Sequence, residues 1–129
     1  MANKSGYSGE LNLKGFFGGA EFESLTTTLV QGAEQSFISQ YPDGRNDAVS
    51  VRYPEPVTED KEYEFVYSSK GQGFDYYSVT HKAVHDVLGT VKVTSKESGT
   101  QQTLTFEGEY EYNFKKYTIK GTANSKYTP

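Results

Sequence analysis

A chain of 129 residues is long enough for one domain with a sizeable hydrophobic core. Only 34% of its residues are hydrophobic, but 11 Tyr and 8 Phe supply large side chains for that core. The absence of Cys excludes disulfides, thiolate metal sites and a cysteine nucleophile. A net charge of −4 without a strong basic cluster argues against binding to nucleic acid.

No run of the sequence approaches the roughly 20 apolar residues of a membrane-spanning helix. The first residues, MANKSGYSGELNL, also lack the apolar core of a signal peptide. We therefore expect a cytoplasmic protein by default, or a secreted one if a signal peptide has been removed. Residues 1–129 are predicted to form a single all-β domain in which residues 1–6 are a flexible N-terminal segment.

The N-terminal part of the chain consists of short alternating runs separated by turn residues. The first run, SGELNLKGFF, alternates apolar and polar residues and is predicted to bend or bulge at Gly15. A turn at Gly18 and Gly19 leads into the second run, AEFESLTTTLV, which is expected to point Phe22 and Thr26 inward. Both runs are typical of β-strands with one buried face.

The rest of the chain repeats this pattern. EQSFISQY, DAVSVRYP, EYEFVYSS and FDYYSVT are predicted strands, and Pro54 and Pro56 mark a loop because they cannot donate ladder hydrogen bonds. TLTFEGEYEY alternates apolar residues with Thr and Glu, which indicates an antiparallel strand with one solvent-exposed face. We predict an all-β fold, an antiparallel β-sandwich or β-barrel of about eight or nine strands.

The stretch YSVTHKAVHDVLGT contains both histidines, His81 and His85, and fits two conformations. Apolar residues at helical spacing, with Ser78 or Thr80 as N-cap, favour a short helix over residues 80–88. As a strand, the same residues would place the two histidines roughly 13 Å apart, which is too far to share a metal. The helix is the preferred interpretation.

The candidate ligand-binding residues are polar or aromatic groups near predicted loop ends, namely Asp75, Tyr76, Tyr77, His81 and His85. Tyrosine offers a flat apolar ring with a polar tip, which suits binding surfaces. Because Tyr76 and Tyr77 are adjacent on a strand, one of them must face away from the other. We expect the outward ring to stack on a sugar or to contact a partner.

No catalytic motif is present: the chain lacks GxSxG, a Ser–Lys motif and a phosphate-binding glycine loop. We therefore expect neither catalytic residues nor a metal or cofactor. The preferred function is a non-enzymatic binding domain for a carbohydrate or another small polar ligand. Lys115, Lys116 and Lys120 are interpreted as solvated side chains, with contact to an anion as the alternative.

Two alternative functions, each of a different class from ligand binding, stay open. Residues 1–65 carry 11 acidic and 5 basic side chains, whereas residues 66–129 carry 6 acidic and 8 basic, and this asymmetry suits a self-assembling or protein-interaction module that forms homo-oligomers. The other alternative is a small barrel enzyme or carrier with an apolar cavity. Its acid and base would be His81 or His85 with Asp75 or Asp86.

Overall fold

The structure is a computed structural model that describes residues 6–129, and this part of the chain forms eleven β-strands. The strands are β1 (Tyr7–Phe17), β2 (Ala20–Thr27), β3 (Val30–Gly32), β4 (Ser36–Gln40), β5 (Asp47–Arg52), β6 (Lys61–Tyr67), β7 (Phe74–Ser78), β8 (Ala83–Asp86), β9 (Leu88–Lys96), β10 (Gln101–Tyr112) and β11 (Lys115–Tyr127). The predicted all-β class is confirmed, with more strands than the eight or nine expected.

The strands form two antiparallel sheets in a sandwich-like arrangement and not a closed barrel. The six-stranded sheet has the order β2-β1-β11-β10-β9-β6, and the five-stranded sheet has the order β3-β4-β5-β7-β8. In the six-stranded sheet, the hairpin of β10 and β11 pairs all of β10 with residues Lys115 to Lys126 of β11. Between β5 and β7 the chain crosses to the other sheet, where β6 pairs with β9, and then returns.

The core lies between the sheets and is built largely from aromatic rings and valines. Inward positions alternate with exposed ones along most strands, as the side-chain period of a β-strand requires. Phe74 of β7 meets Phe106 of β10 edge to face, with ring centroids 6.2 Å apart. Tyr67 and Tyr76 are almost completely buried. Tyrosine therefore supplies core volume that aliphatic residues supply in most domains.

The predicted helix over residues 80–88 is wrong. Only one helix-like turn forms, in which Lys82 N–H donates to the Ser78 carbonyl at 2.7 Å and His81 N–H donates to Ser78 Oγ at 3.2 Å. Lys82 then takes a φ of 55°, which ends any helix. From Ala83 onward the chain pairs with β7 in strand β8, because ladder hydrogen bonds and burial of His85 replace the local helical preference.

Residues 1–5 are outside the described part of the chain, so the predicted flexibility of residues 1–6 concerns Gly6 alone here. The Gly6 carbonyl accepts a hydrogen bond from Thr128 N–H at 2.7 Å. None of residues 6–129 belongs to a helix that is long and apolar enough to cross a membrane.

The turn between β10 and β11 has an unusual residue at its tip. Asn113 and Phe114 both have positive φ, 52° and 63°, as in the two-residue turns that match the twist of a hairpin. Asn tolerates this left-handed conformation, and Gly adopts it without a steric penalty. Phe adopts it only at a steric cost, because its Cβ lies too close to the backbone. Phe114 is also fully exposed, so its ring gains no burial in return.

We predict that Phe114→Gly stabilises the protein by about 0.5–1 kcal/mol, because it removes a left-handed conformation from a residue with a Cβ. A thermal melt should show a rise of about 2–4 °C. Asn113→Gly is the matched control and should change the melting temperature less. A lower melting temperature for Phe114→Gly would mean that the exposed ring stabilises the hairpin.

Candidate functional site

The turn between β7 and β8 brings the two histidines together, with ring centroids 5.4 Å apart at 89°. The His81 ring lies parallel to Tyr112 at 4.2 Å and near-parallel to Phe22 at 5.5 Å. The His85 ring stacks on Tyr110 at 4.1 Å. These five residues and Tyr117 form one packed group that we call the histidine–tyrosine cluster. It closes one end of the space between the sheets.

An irregularity in β2 supplies two adjacent side chains to this end of the molecule. The pairing of β1 with β2 matches Gly15 to Glu23 and Phe16 to Glu21, so Phe22 has no partner. Phe22 and Glu23 are therefore both half-buried instead of alternating. Gly15 leaves room for the Phe22 ring, since a Cβ at Gly15 would lie 3.0 Å from it.

The Glu23 carboxylate ties β2 to β7 and the following turn. Its Oε2 accepts a hydrogen bond from Tyr76 OH, and its Oε1 accepts from Ser78 Oγ at 3.0 Å and from Thr80 N–H at 3.2 Å. Burial raises the pKa of Tyr76, and the bond to Glu23 adds to this rise. Tyr76 therefore stays neutral and acts as a donor to the carboxylate.

The surroundings of both imidazoles disfavour their charged form. Burial lowers the pKa of His81 and of His85 below the ordinary 6.5, and the neighbouring His81 lowers that of His85 further. His81 Nδ1 lies 3.4 Å from Tyr110 OH. His85 is 7% exposed, and its Nε2 has no hydrogen-bond partner among residues 6–129. In that same range no three His, Asp or Glu side chains are placed to hold a metal.

The five predicted ligand-binding residues divide between two faces of the β7–β8 hairpin. Tyr76 pairs with His85 in the register, and both point inward. The Tyr76, His85 and His81 rings all lie against the Tyr110 ring. Asp75 and Tyr77 point to the other face. The structure thus brings three of the five residues together, and ligand contact by any of them stays a prediction.

The outward pair has its own local environment. Tyr77 meets the Tyr41 ring edge-on at 5.9 Å, and its carbonyl accepts a hydrogen bond from Tyr41 OH. Asp75 lies directly opposite Asp86 in the β7–β8 register. Burial raises the pKa of Asp75, and the Asp86 carboxylate raises it further. This face therefore combines a packed tyrosine with two carboxylates that repel each other.

A large hollow lies elsewhere, on the outer face of the six-stranded sheet. We call it the outer groove. Its volume is about 600 Å³, and it extends across β2, β1, β11, β10 and β9. Interior residues such as Leu13 and Phe106 contribute to its floor, and Phe16 is an aromatic residue at its margin. None of the five residues predicted from the sequence lines it.

Two rows of outward-facing side chains cross the sheet in the outer groove, following the strand register. One row is Thr26, Asn12, Thr122, Thr105 and Lys92. The other row is Ser24, Lys14, Lys120, Glu107 and Thr90. Neighbouring strands lie about 4.8 Å apart, so each row presents a polar group at regular intervals. Hydroxyl, amide and charged groups that can form hydrogen bonds therefore cover the surface of the groove.

Charge is not balanced in the outer groove. Lys14 and Lys120 are directly opposite each other on β1 and β11, and like charges in this position destabilise a sheet. Lys14 also pairs with Glu21 at 3.5 Å, and Lys92 pairs with Glu64 at 3.8 Å. Three ammonium groups and one carboxylate, that of Glu107, thus line this hollow, and two of the three ammonium groups are paired with carboxylates outside the lining.

Sequence reasoning missed the outer groove because its residues look like ordinary solvated positions. Thr105 and Glu107 alternate with buried Leu104 and Phe106, which shows that they face water but not that the surface is hollow. The single signal was Lys120, for which contact with an anion was the alternative interpretation. Strand order, which decides its neighbours, was not predictable from the sequence.

Comparison of the chain with models of protein families, with curated proteins and with solved structures finds no match.

We predict that acid destabilises the protein through the histidines. Because their folded-state pKa values lie below the unfolded 6.5, the unfolded state binds more protons there. The stabilisation is fully present above about pH 6.5 and declines as the pH falls through the lowered values. Urea unfolding at about pH 7.5 and about pH 5 should show a lower free energy of unfolding at the acidic pH.

His85→Phe is the comparison variant, since Phe keeps a ring on Tyr110 and cannot titrate. Its free energy of unfolding should fall less between the two pH values than that of the wild type. The raised pKa of Asp75 acts in the opposite direction, but Asp75 is present in both proteins, so its contribution cancels in the comparison. Equal slopes for both proteins would contradict the role given to His85.

We also predict that Glu23→Ala lowers the free energy of unfolding by about 2–3 kcal/mol, because it leaves the buried Tyr76 hydroxyl without an acceptor. Glu21→Ala is the matched control on the same strand. It removes only an exposed ion pair with Lys14 and should change stability by less than about 1 kcal/mol. Urea denaturation of both variants measures the difference, and similar losses would rule out the special role of Glu23.

Proposed function

We propose that this chain is a non-enzymatic binding module that holds a carbohydrate in the outer groove. The observation that carries the proposal is a hollow of about 600 Å³ lined by ordered rows of hydroxyl, amide and ammonium groups. Ligand sites usually enclose about 300–1,000 Å³ and place a few polar groups over an apolar floor. Sugars present many hydroxyls, which can donate to and accept from such rows.

The position of these rows on strands also supports binding. Thr105 and Thr122 are direct neighbours on β10 and β11, the longest strand pair of the protein. Side chains on a paired strand lose little further freedom when a ligand binds, so a site of this kind is preorganised. Asn12 continues the same row on β1, and its Oδ1 already accepts a hydrogen bond from Thr26 Oγ1 at 2.8 Å.

The histidine–tyrosine cluster is better suited to a supporting role in this proposal. Sugar stacking needs an open ring face, but the Tyr110 ring has His85 at 4.1 Å and Tyr117 at 5.4 Å. Tyr76 is only 1% exposed. We therefore place the ligand in the outer groove and not at the loop ends. The proposed partner is a glycan or another small polar molecule, and the cytoplasm remains the proposed default location.

We predict that the double variant Thr105→Val, Thr122→Val weakens binding by about tenfold, since each lost hydroxyl removes a hydrogen bond worth about 0.5–1.5 kcal/mol. Isothermal titration calorimetry against a panel of soluble oligosaccharides, neutral and acidic, would measure it. Val has the shape and strand preference of Thr, so the fold should be unchanged.

Thr118→Val is the matched control, because Thr118 is exposed on β11 but does not line the outer groove. Its affinity should equal that of the wild type. Binding that survives the double variant, or that is lost equally in the control, would place the ligand elsewhere. Absence of binding to every oligosaccharide in the panel would overturn the proposed function.

A further inference from the structure

A second hollow lies next to the outer groove on the same face of the six-stranded sheet. This distal hollow has a volume of about 190 Å³ and is lined by residues of β9, β10 and β11. Two more register rows cross it. They are Thr94, Thr103 and Asn124, followed by Lys96, Gln101 and Lys126. The same three strands thus carry both hollows.

The two hollows lie in line along the strands, and we call the surface that includes both of them the path. From Lys120 in the outer groove to Lys126 in the distal hollow, β11 advances six residues. At about 3.4 Å per residue this distance is roughly 20 Å. A path of this length is longer than a single small sugar requires, and it suits a chain-like ligand.

Both parts of the path present ammonium groups that are not neutralised. Within residues 6–129, Lys96, Lys120 and Lys126 make no ion pair. Lys96 and Lys126 flank Gln101 in one row, and Lys120 lies between Lys14 and Glu107 in another. Glu107 is the only carboxylate that lines either hollow in the described part of the chain. Glu10 and Glu62 lie opposite Asn124 and Thr94 at the two ends of their row, outside the lining. Ammonium groups therefore outnumber carboxylates in the lining itself, which suits a negatively charged chain.

We propose that the ligand is an acidic polysaccharide, a chain of sugars bearing carboxylates, that lies along β10 and β11 across both hollows. This inference rests on the proposed function and specifies its ligand. The Lys96, Lys120 and Lys126 ammonium groups bind the carboxylates. The Thr, Asn and Gln side chains between them bind the sugar hydroxyls.

The lining favours a polysaccharide over single-stranded nucleic acid, which is the other common anionic chain. Nucleic-acid grooves combine basic groups with aromatic rings on which the bases stack. Among the described residues that line the two hollows, Phe16 is the only aromatic side chain near the open surface, because Phe106 is buried. Hydroxyl and amide groups occupy the remaining positions.

The experiment is a length series of galacturonate oligomers, measured by calorimetry against neutral maltooligosaccharides of the same lengths. Affinity for the galacturonates should rise with length until the oligomer covers both hollows, and it should fall as NaCl is added. Lys120→Met and Lys126→Met should each weaken octamer binding about two- to fivefold. Lys126→Met should not affect the shortest oligomers that fit in the outer groove.

Lys70→Met is the matched control, since Lys70 is an exposed lysine that lines neither hollow. It should leave all affinities unchanged. Neutral oligomers that bind as tightly as galacturonates would overturn the acidic ligand and keep the proposed function. If single-stranded DNA bound more tightly than the galacturonates, the assignment of the ligand as a polysaccharide would be wrong. If neither series of sugars bound, both this proposal and the proposed function would be wrong.

Discussion

A core built from tyrosine needs hydrogen-bond acceptors inside the protein, and this requirement joins the two sheets. A buried hydroxyl without a partner costs about 1–3 kcal/mol, so each inward tyrosine must find an acceptor. Three of these bonds cross between the sheets: Tyr53 OH to Gln102 Oε1, Tyr67 OH to the Arg52 carbonyl, and Tyr76 OH to Glu23 Oε2. Burial raises the pKa of all three tyrosines, to about 12 for Tyr67, which keeps them donors at neutral pH. The sheets are thus fixed in position by directional bonds as well as by apolar contact.

Most strands were predictable because their alternation of apolar and polar residues has the period of a strand with one buried face. Two local features, in β2 and near the histidines, could not be predicted in this way. In β2 the unpaired Phe22 shifts the alternation by one, so that Thr27 is buried and Thr26, expected inward, is exposed. Near the histidines, Ser78 forms the expected N-cap bond, but the turn stops at Lys82. In both places, pairing with a distant strand overrides the local pattern, and a single sequence contains no direct record of that pairing.

The candidate site was less predictable than the fold for a related reason. Each strand shows which of its residues face water, but the groove depends on which strands are neighbours. Lys14 and Lys120 come from opposite ends of the chain and meet only because β1 pairs with β11. The sequence has only two histidines, and their lowered pKa values and stacked rings fit a packed end of the core. The threonines of the groove are ordinary residues whose arrangement becomes informative only in three dimensions.

The two faces of the six-stranded sheet therefore impose different demands on the same strands. On the inner face of β10, Leu104 and Phe106 are held by the core, and neither can change without altering the packing. On the outer face, Thr105 and Glu107 contact few neighbours, so their identity has little effect on stability. Lys14 and Lys120 lie opposite each other on that face, and repulsion between their charges lowers the stability of the sheet. Core packing does not require either lysine. A rigid sheet that carries such groups at regular spacing is a suitable support for a ligand with a repeating, negatively charged structure.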